Sequence, residues 1–312
     1  MTTTVQNQLG SFFGVGGGFL LTPALNILGM EMLQSVGTSL IYVTGMSGMS
    51  LLGHLRRGNV QMLGGLAIGL PAAVGSTLGK GLAEMLAKAG QAQMVILGCF
   101  VALLLVIAAV FLSPGGSRPH STGRPRLGRV TTGPHVYLGQ HRFSLWVVLA
   151  TGMGIGLLSG LLGVGGGVVI LPLLIHGFGL EPAAAVGTSL ICVLLSGVVG
   201  GTAYYLSGRV NLGDVALMLA GAWPGTVLGA RATAILGGQR LTRYFAGLVV
   251  LAAAGIVMKL MGWTAGSGAV VYGGLLGMPA FILIQYHRTR SRSTKSRFPA
   301  RNRRNRSDAS AW

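Results

Sequence analysis

The sequence predicts an all-α integral membrane protein built from two homologous helical repeats. Three observations support this class: a mean hydropathy of +0.67, a charged fraction of only 9%, and long apolar segments that recur in both halves of the chain. Soluble domains carry roughly 25% charged residues, so this chain has too few charges to cover a water-facing surface. Its 54 glycines fit the same class, because glycine is common where membrane helices pack closely.

Apolar segments along the chain predict about 8–10 transmembrane crossings. Most have about 20 residues, enough to cross the roughly 30 Å hydrocarbon core at about 1.5 Å per residue. Two are short, 19–29 and 168–179, and each follows a glycine cluster, as the halves of broken membrane helices do. The full set is 19–29, 35–54, 62–82, 93–112, 144–162, 168–179, 186–206, 213–236, 243–262 and 268–286.

The two halves of the chain repeat the same motifs in the same order. The cluster GVGGG at 14–18 recurs at 163–167, and GTSLI at 37–41 recurs at 187–191. The offset is 149 residues at the glycine cluster and 150 from Gly29 onward. A duplicated bundle of this kind is typical of secondary transporters. The first copy has only the largely polar residues 1–13 where the second has segment 144–162, so we expect the first repeat to lack its opening helix.

Most of the positive charge lies outside the apolar segments. Lys and Arg number 23 against 5 Asp and Glu, for a net charge of +18, and nine of these cations lie in 288–306 and five in 118–142. We therefore divide the chain into a first repeat, 1–112, a basic flexible linker, 113–142, a second repeat with a final helix, 143–286, and a disordered basic tail, 287–312.

The positive-inside rule then predicts an orientation for a multi-pass protein of the cell (inner) membrane. It assigns the linker and the tail to the cytoplasm. Counting segments from the linker puts the first glycine cluster on the cytoplasmic side and the second outside, so the two repeats are predicted to be inverted. The tail is expected to contact anionic lipid at the membrane surface, and no nucleic-acid partner is expected.

The doubled cluster, with a proline and then Gly-Thr-Ser after it in each half, resembles the TauE/SafE family of membrane proteins, which are sulfite exporters and related anion permeases. The resemblance covers about residues 11–262. It implies a permease for small anions such as sulfite, sulfonates or other sulfur oxyanions. The alternative is a channel or a membrane scaffold that transports nothing, although a scaffold would not need glycine-broken segments.

The glycine clusters are the first candidate binding residues. Consecutive glycines let backbone N–H groups converge on an anion without side chains in the way, and a helix that starts after the cluster adds its positive end. Close helix packing or a hinge would explain the same glycines equally well. The candidate substrate contacts in the two clusters are Gly16, Gly17, Gly18, Gly165, Gly166 and Gly167.

The repeated Gly-Thr-Ser motif adds uncharged hydrogen-bond donors. Thr38 and Ser39 in the first copy, with Thr188 and Ser189 in the second, are candidate contacts for an oxyanion that must also be released. Hydroxyl bonds within a helix, or helix caps, are the structural alternative. Glu31 and Glu181 precede these motifs and are expected to stabilise helix N-termini rather than to relay protons.

Other chemistry has no support in the sequence. The histidines and the two cysteines show no metal-ligand spacing, no nucleophile lies beside a base, and no phosphate-binding loop with its lysine is present. We therefore predict no enzyme activity, no catalytic residue, no metal and no cofactor. The remaining acidic residues are Glu84, Asp214 and Asp308, none of them in the middle of an apolar segment, which favours an anionic or neutral solute over a cation.

Overall fold

The computed structural model describes residues 18–58, 60–112, 135–138, 141–222, 238–263 and 266–267. The first half contains helices α1 to α4, which are Gly18–Ile27, Met32–Arg56, Met62–Lys88 and Ala92–Leu112. Strands β1, His135–Leu138, and β2, His141–Ser144, lead into α5, Leu145–Leu162. Helix α6, Gly167–Pro172, continues as a π-helical turn over Leu173–Gly177. Helices α7, Pro182–Leu206, α8, Leu212–Ala222, and α9, Gly238–Leu260, follow.

The described helices confirm the predicted helical segments, and turns with glycine separate several of them. Gly58, Gly90 and Gly208 follow α2, α3 and α7 with φ of +69°, +70° and +70°. Glycine adopts this left-handed conformation without steric cost, which ends a helix sharply. The predicted segment 213–236 is described as far as residue 222, whereas segment 268–286 and residues 1–13 lie outside the described residues.

A short β-hairpin is present in the otherwise helical described chain. Strands β1 and β2 pair antiparallel, with His135 opposite Ser144 and Leu138 opposite His141. Phe143 of β2 packs edge-on against Phe178, with ring centroids 4.8 Å apart. Strands of four residues are too short for an alternating pattern to stand out, and the basic, proline-containing surroundings indicated a linker.

Three described helices are long and apolar enough to cross a membrane, namely α3, α5 and residues Ala183–Leu206 of α7. Large apolar side chains also cover the outside of the described bundle, and several are at least 70% exposed: Leu63, Met94, Trp146, Leu206 and Leu217. Soluble monomers rarely expose so much apolar surface. The helices therefore have the length, composition and outer surface that a lipid environment requires.

Helices α3 and α5 pack in parallel with their backbones in direct contact. Glycines recur at every fourth position of α5, at 152, 156 and 160. A Cβ atom on Gly156 would overlap the carbonyl oxygen of Ala72, and one on Gly160 would overlap that of Ser76. From the α3 side, a Cβ on Gly79 would overlap the carbonyl oxygen of Leu157. Small residues on one face allow this close approach, which maximises packing between membrane helices.

Helices α2 and α7 pack antiparallel beside this pair. A Cβ on Gly37, near the start of α2, would lie 2.9 Å from Cβ of Tyr204, near the end of α7. A Cβ on Gly48, in the second half of α2, would lie 3.6 Å from Leu194 Cδ1, in the middle of α7. The starts and ends of the two helices therefore lie at opposite ends of the bundle.

These contacts define two ends of the bundle. At the Glu31 end, where α2 begins and α7 finishes, Glu31 pairs with Arg209, with 2.6 Å between Oε1 and Nη1. At the Gly58 end, where α2 finishes and α7 begins, the backbone N–H of Gln61 donates to Thr188 Oγ1 over 3.2 Å. Glu31 and Glu181 directly precede α2 and α7, at the helix N-termini where the sequence predicted them.

Candidate functional site

The second glycine cluster forms a buried loop that interrupts the helical path between α5 and α6. Gly163 ends α5 and Gly166 precedes α6, and both have φ of +74°. Gly165, between them, has φ of +69°. L-residues with a side chain rarely adopt this conformation, so the loop depends on its glycines. Residues 163–168 are all buried, and we refer to Gly163–Gly167 as the glycine loop.

The glycine loop lies against the middle of α2 and α7. A Cβ on Gly165 would lie 2.6 Å from Val43 Cγ1 and 2.9 Å from Val193 Cγ1. Val43 lies at the centre of α2, and Val193 lies at the centre of α7. Gly165 therefore lies near the middle of the bundle, whereas Gly163, which adjoins Val36, lies nearer the Glu31 end.

The N–H groups of Gly165 and Gly166 have no hydrogen-bonded backbone acceptor among the described residues, whereas the N–H of Gly163 donates to Ser159 O over 2.8 Å. Buried N–H groups are rarely left without an acceptor. The atoms nearest to the loop glycines belong to apolar or hydroxyl side chains and to backbone carbonyls. The loop thus offers hydrogen-bond donors, and the described atoms nearest to its glycines carry no charge.

Three buried hydroxyl groups on helices that contact or adjoin this loop also lack a partner in the described part of the chain. They are Thr22 Oγ1 of α1, Ser39 Oγ of α2 and Ser159 Oγ of α5, and all three residues are 0% exposed. Thr22 Oγ1 lies 2.9 Å from the position of a Cβ on Gly163. Buried polar atoms without partners are uncommon in folded proteins and call for a physical explanation.

The other candidate residues have different positions. Thr38 is buried in α2. Thr188 accepts the Gln61 N–H, and Ser189 Oγ donates to Val186 O over 2.8 Å, the intrahelical bond that is the structural alternative for this motif. Gly18 is the first residue of α1. Gly16 and Gly17 lie outside the described residues.

The structure therefore brings Ser39 and the second glycine cluster into one region and leaves Thr188 and Ser189 with protein partners. Thr22 and Ser159 were not predicted from the sequence. Thr22 is the one hydroxyl residue of segment 19–29, and the position of α6 that corresponds to it at the 149-residue offset is Leu171. Ser159 is one of three hydroxyl residues in segment 144–162, and no repeated motif marks it. Comparison of the two halves therefore does not single out Thr22, and the available signal was its position four residues after Gly18, the last glycine of the first cluster.

A cavity of about 400 Å³ opens at the Glu31 end, and its lining includes Asn26, Glu31 and Lys259. The Lys259 ammonium group donates to the carbonyl oxygen of Asn26, while Asn26 Oδ1 is buried without a partner in the described residues. Asn26 and Thr22 are four residues apart on α1, hence on the same face of the helix. That face of α1 therefore carries one polar group at the cavity, Asn26, and another beside the glycine loop, Thr22.

A family model described as sulfite exporter TauE/SafE matches residues 5–256 of the chain. The chain belongs to this family. The match includes both glycine clusters and every candidate site residue. No solved structure matches the chain.

Members of the TauE/SafE family with curated names are similar to this chain over most of their length. The probable membrane transporter protein YunE of Bacillus subtilis is 27% identical over 236 residues, which are 72% of this chain and 84% of YunE. The probable membrane transporter protein YdhB of the same organism is 27% identical over 72% of this chain and 85% of its own length. MJ0441 of Methanocaldococcus jannaschii, also named a probable membrane transporter protein, is 26% identical over 68% of this chain and 74% of its own length.

These relatives support membrane transport as the general function of the chain, and they are named as transporters rather than as enzymes. The resemblance stated from the doubled glycine motif is confirmed by the family match. The family name refers to sulfite, whereas the relatives' names specify no solute.

Proposed function

We propose that this chain carries small anions, such as sulfite, sulfonates or other sulfur oxyanions, across the membrane, with the glycine loop as its binding site. The observation that carries this proposal is the buried glycine loop, where N–H groups and nearby hydroxyls have no partner within the described ranges. A broken membrane helix of this kind is where transporters commonly bind solutes. The cavity at the Glu31 end, with Lys259 in its lining, supplies an approach for an anion.

We further propose that the two repeats are inverted relative to each other. Helices α2 and α7 contain the same repeated motif, and their antiparallel contact supports this arrangement. Val43 and Val193 occupy corresponding positions at the 150-residue offset, and both adjoin Gly165. At the same offset Gly45 corresponds to Leu195 and Gly69 corresponds to Leu219. The contact of Gly45 with Leu219 is therefore the counterpart of the contact of Gly69 with Leu195, and the two exchange under the offset. Contacts that exchange in this way are expected for a pseudo-two-fold axis between the repeats.

The inverted arrangement predicts opposite accessibility for the loops that follow α2 and α7. In a chain whose native cysteines are replaced by alanine, Arg57→Cys and Ser207→Cys should react with an impermeant thiol reagent from opposite sides of the membrane. Gln91→Cys, after α3, should react from the same side as Ser207→Cys. Reaction of Arg57→Cys and Ser207→Cys from one side would rule out inversion.

Anion transport itself is tested by flux into proteoliposomes. We expect saturable uptake of at least one anion from a panel of sulfite, thiosulfate, sulfonates and carboxylates, because a carrier has a limited number of binding sites. Empty liposomes are the control. Flux that rises linearly with concentration would favour a channel, and no flux from correctly folded protein would favour a scaffold.

The orientation and domain division are part of the proposal. We place the linker, 113–142, and the tail, 287–312, on the cytoplasmic side of the cell membrane, with the tail at anionic lipid. Most of these residues lie outside the described part of the chain, and the support for them is the distribution of Lys and Arg.

A further inference from the structure

We infer that Thr22, Ser39 and Ser159 bind the solute together with the glycine loop, and that this neutral site selects singly charged oxyanions over doubly charged ones. This inference rests on the proposed function and specifies its substrate class. The decisive observation is that three fully buried hydroxyl groups, from three different helices around one loop, have no partner among the residues that the structure describes.

The three hydroxyl residues approach the loop from different directions. Thr22 Oγ1 adjoins Gly163, and Ser159 Cβ lies 3.8 Å from the position of a Cβ on Gly166. Ser39 lies on α2 between Val36, whose carbonyl oxygen is 2.6 Å from a Cβ on Gly163, and Val43, which adjoins Gly165. Residues three and four apart share a helix face, so Ser39 is on the face that meets the loop.

Other buried hydroxyl groups of these helices have protein partners, so a missing partner is not a general property of the bundle. Ser35 Oγ donates to Glu31 O over 2.9 Å, and Ser76 Oγ donates to Ser196 O over 2.8 Å. Both residues are as buried as the three beside the loop. A hydroxyl that binds a solute must stay free of such protein partners, because a strong internal bond would compete with the solute.

The charge balance around the loop defines the class of solute. None of the atoms nearest to the loop glycines belongs to a charged side chain. A doubly charged anion that loses its water in neutral surroundings needs a counter-charge to offset the lost hydration. A singly charged oxyanion needs less, and hydroxyl and N–H donors can replace its water. The N–H groups of Gly165 and Gly166 disfavour a bare cation, and no carboxylate is among the described atoms nearest to the loop glycines.

Substitutions of the hydroxyls test the contacts. With full-length protein in proteoliposomes and the best-transported anion of the panel, Thr22→Val and Ser159→Ala should each raise KM about tenfold, the effect of losing one hydrogen bond to a charged ligand. Thr22→Ser, which keeps the hydroxyl, should restore the wild-type KM. Ser35→Ala removes an equally buried hydroxyl that has a protein partner, and its KM should stay at the wild-type value.

Competition between anions tests the charge selection. Methanesulfonate, which carries one charge, should inhibit uptake by the wild-type protein, whereas sulfate at the same concentration should not. If the wild-type protein transports an anion but Thr22→Val and Ser159→Ala leave KM unchanged, the hydroxyl contacts are wrong. If sulfate competes as well as methanesulfonate, the charge selection is wrong. If the wild-type protein transports none of the panel, the proposed function itself fails.

Discussion

The variant Gly156→Ala is expected to lose much of its stability, by about 3 kcal/mol or more, the upper part of the range for overpacked sites. The added Cβ would overlap the carbonyl oxygen of Ala72 on α3. Backbone cannot rotate away as a flexible side chain can, so α3 and α5 would have to separate. The measurement is the thermal unfolding midpoint of the detergent-solubilised protein, followed by size-exclusion chromatography.

Gly154→Ala is the matched control for this substitution. Gly154 lies on the same helix, and a Cβ there would meet no atom within 4 Å. Alanine favours helix over glycine by about 1 kcal/mol, so this variant should unfold at the wild-type temperature or slightly above it. Equal midpoints for Gly154→Ala and Gly156→Ala would contradict the backbone contact between α3 and α5.

The second large effect is expected at the proposed binding site. Gly166→Val should reduce anion flux to that of empty liposomes, while the protein still inserts into the membrane. Gly166 has φ of +74°, which a β-branched residue rarely tolerates, and its Cβ would lie 2.7 Å from Ile155 Cγ2. The loop would have to change its path, and its N–H groups would no longer point at a bound anion.

Gly208→Val separates the cost of backbone strain from the loss of the site. Gly208 has φ of +70° and open space around its Cβ position, and it lies in a turn at the Glu31 end, away from the glycine loop. This variant should carry anions at close to the wild-type rate. Normal transport by Gly166→Val would exclude the loop as the binding site, and equal loss in both variants would trace the defect to strain alone.

The sequence predicted most of the helices because burial in lipid requires long uninterrupted apolar segments, and their ends follow from glycine turns such as the one at Gly58. It did not predict the hairpin over 135–144, where each strand has only four residues. It also could not predict which helices pack together. The α3–α5 contact joins residues about eighty positions apart, and glycines alone do not specify a partner.

For the candidate site, the repeated motifs identified the glycine loop and Ser39 but not their surroundings. A repeated motif draws attention to its residues, whether or not the two copies have the same function. Thr188 and Ser189 share a motif with Thr38 and Ser39, yet their hydroxyls bond to Gln61 and Val186. Thr22 and Ser159 have no repeated counterpart, and only the packing of α1 and α5 around the loop reveals them.

The backbone contact between α3 and α5 also constrains how the protein is made. Helix α3 leaves the ribosome first, and the surface formed by Gly75 and Gly79 has no partner until α5 has been synthesised after it. During that interval this surface of α3 is not covered by α5. The two halves therefore cannot mature one after the other, since the first half is completed by a helix of the second.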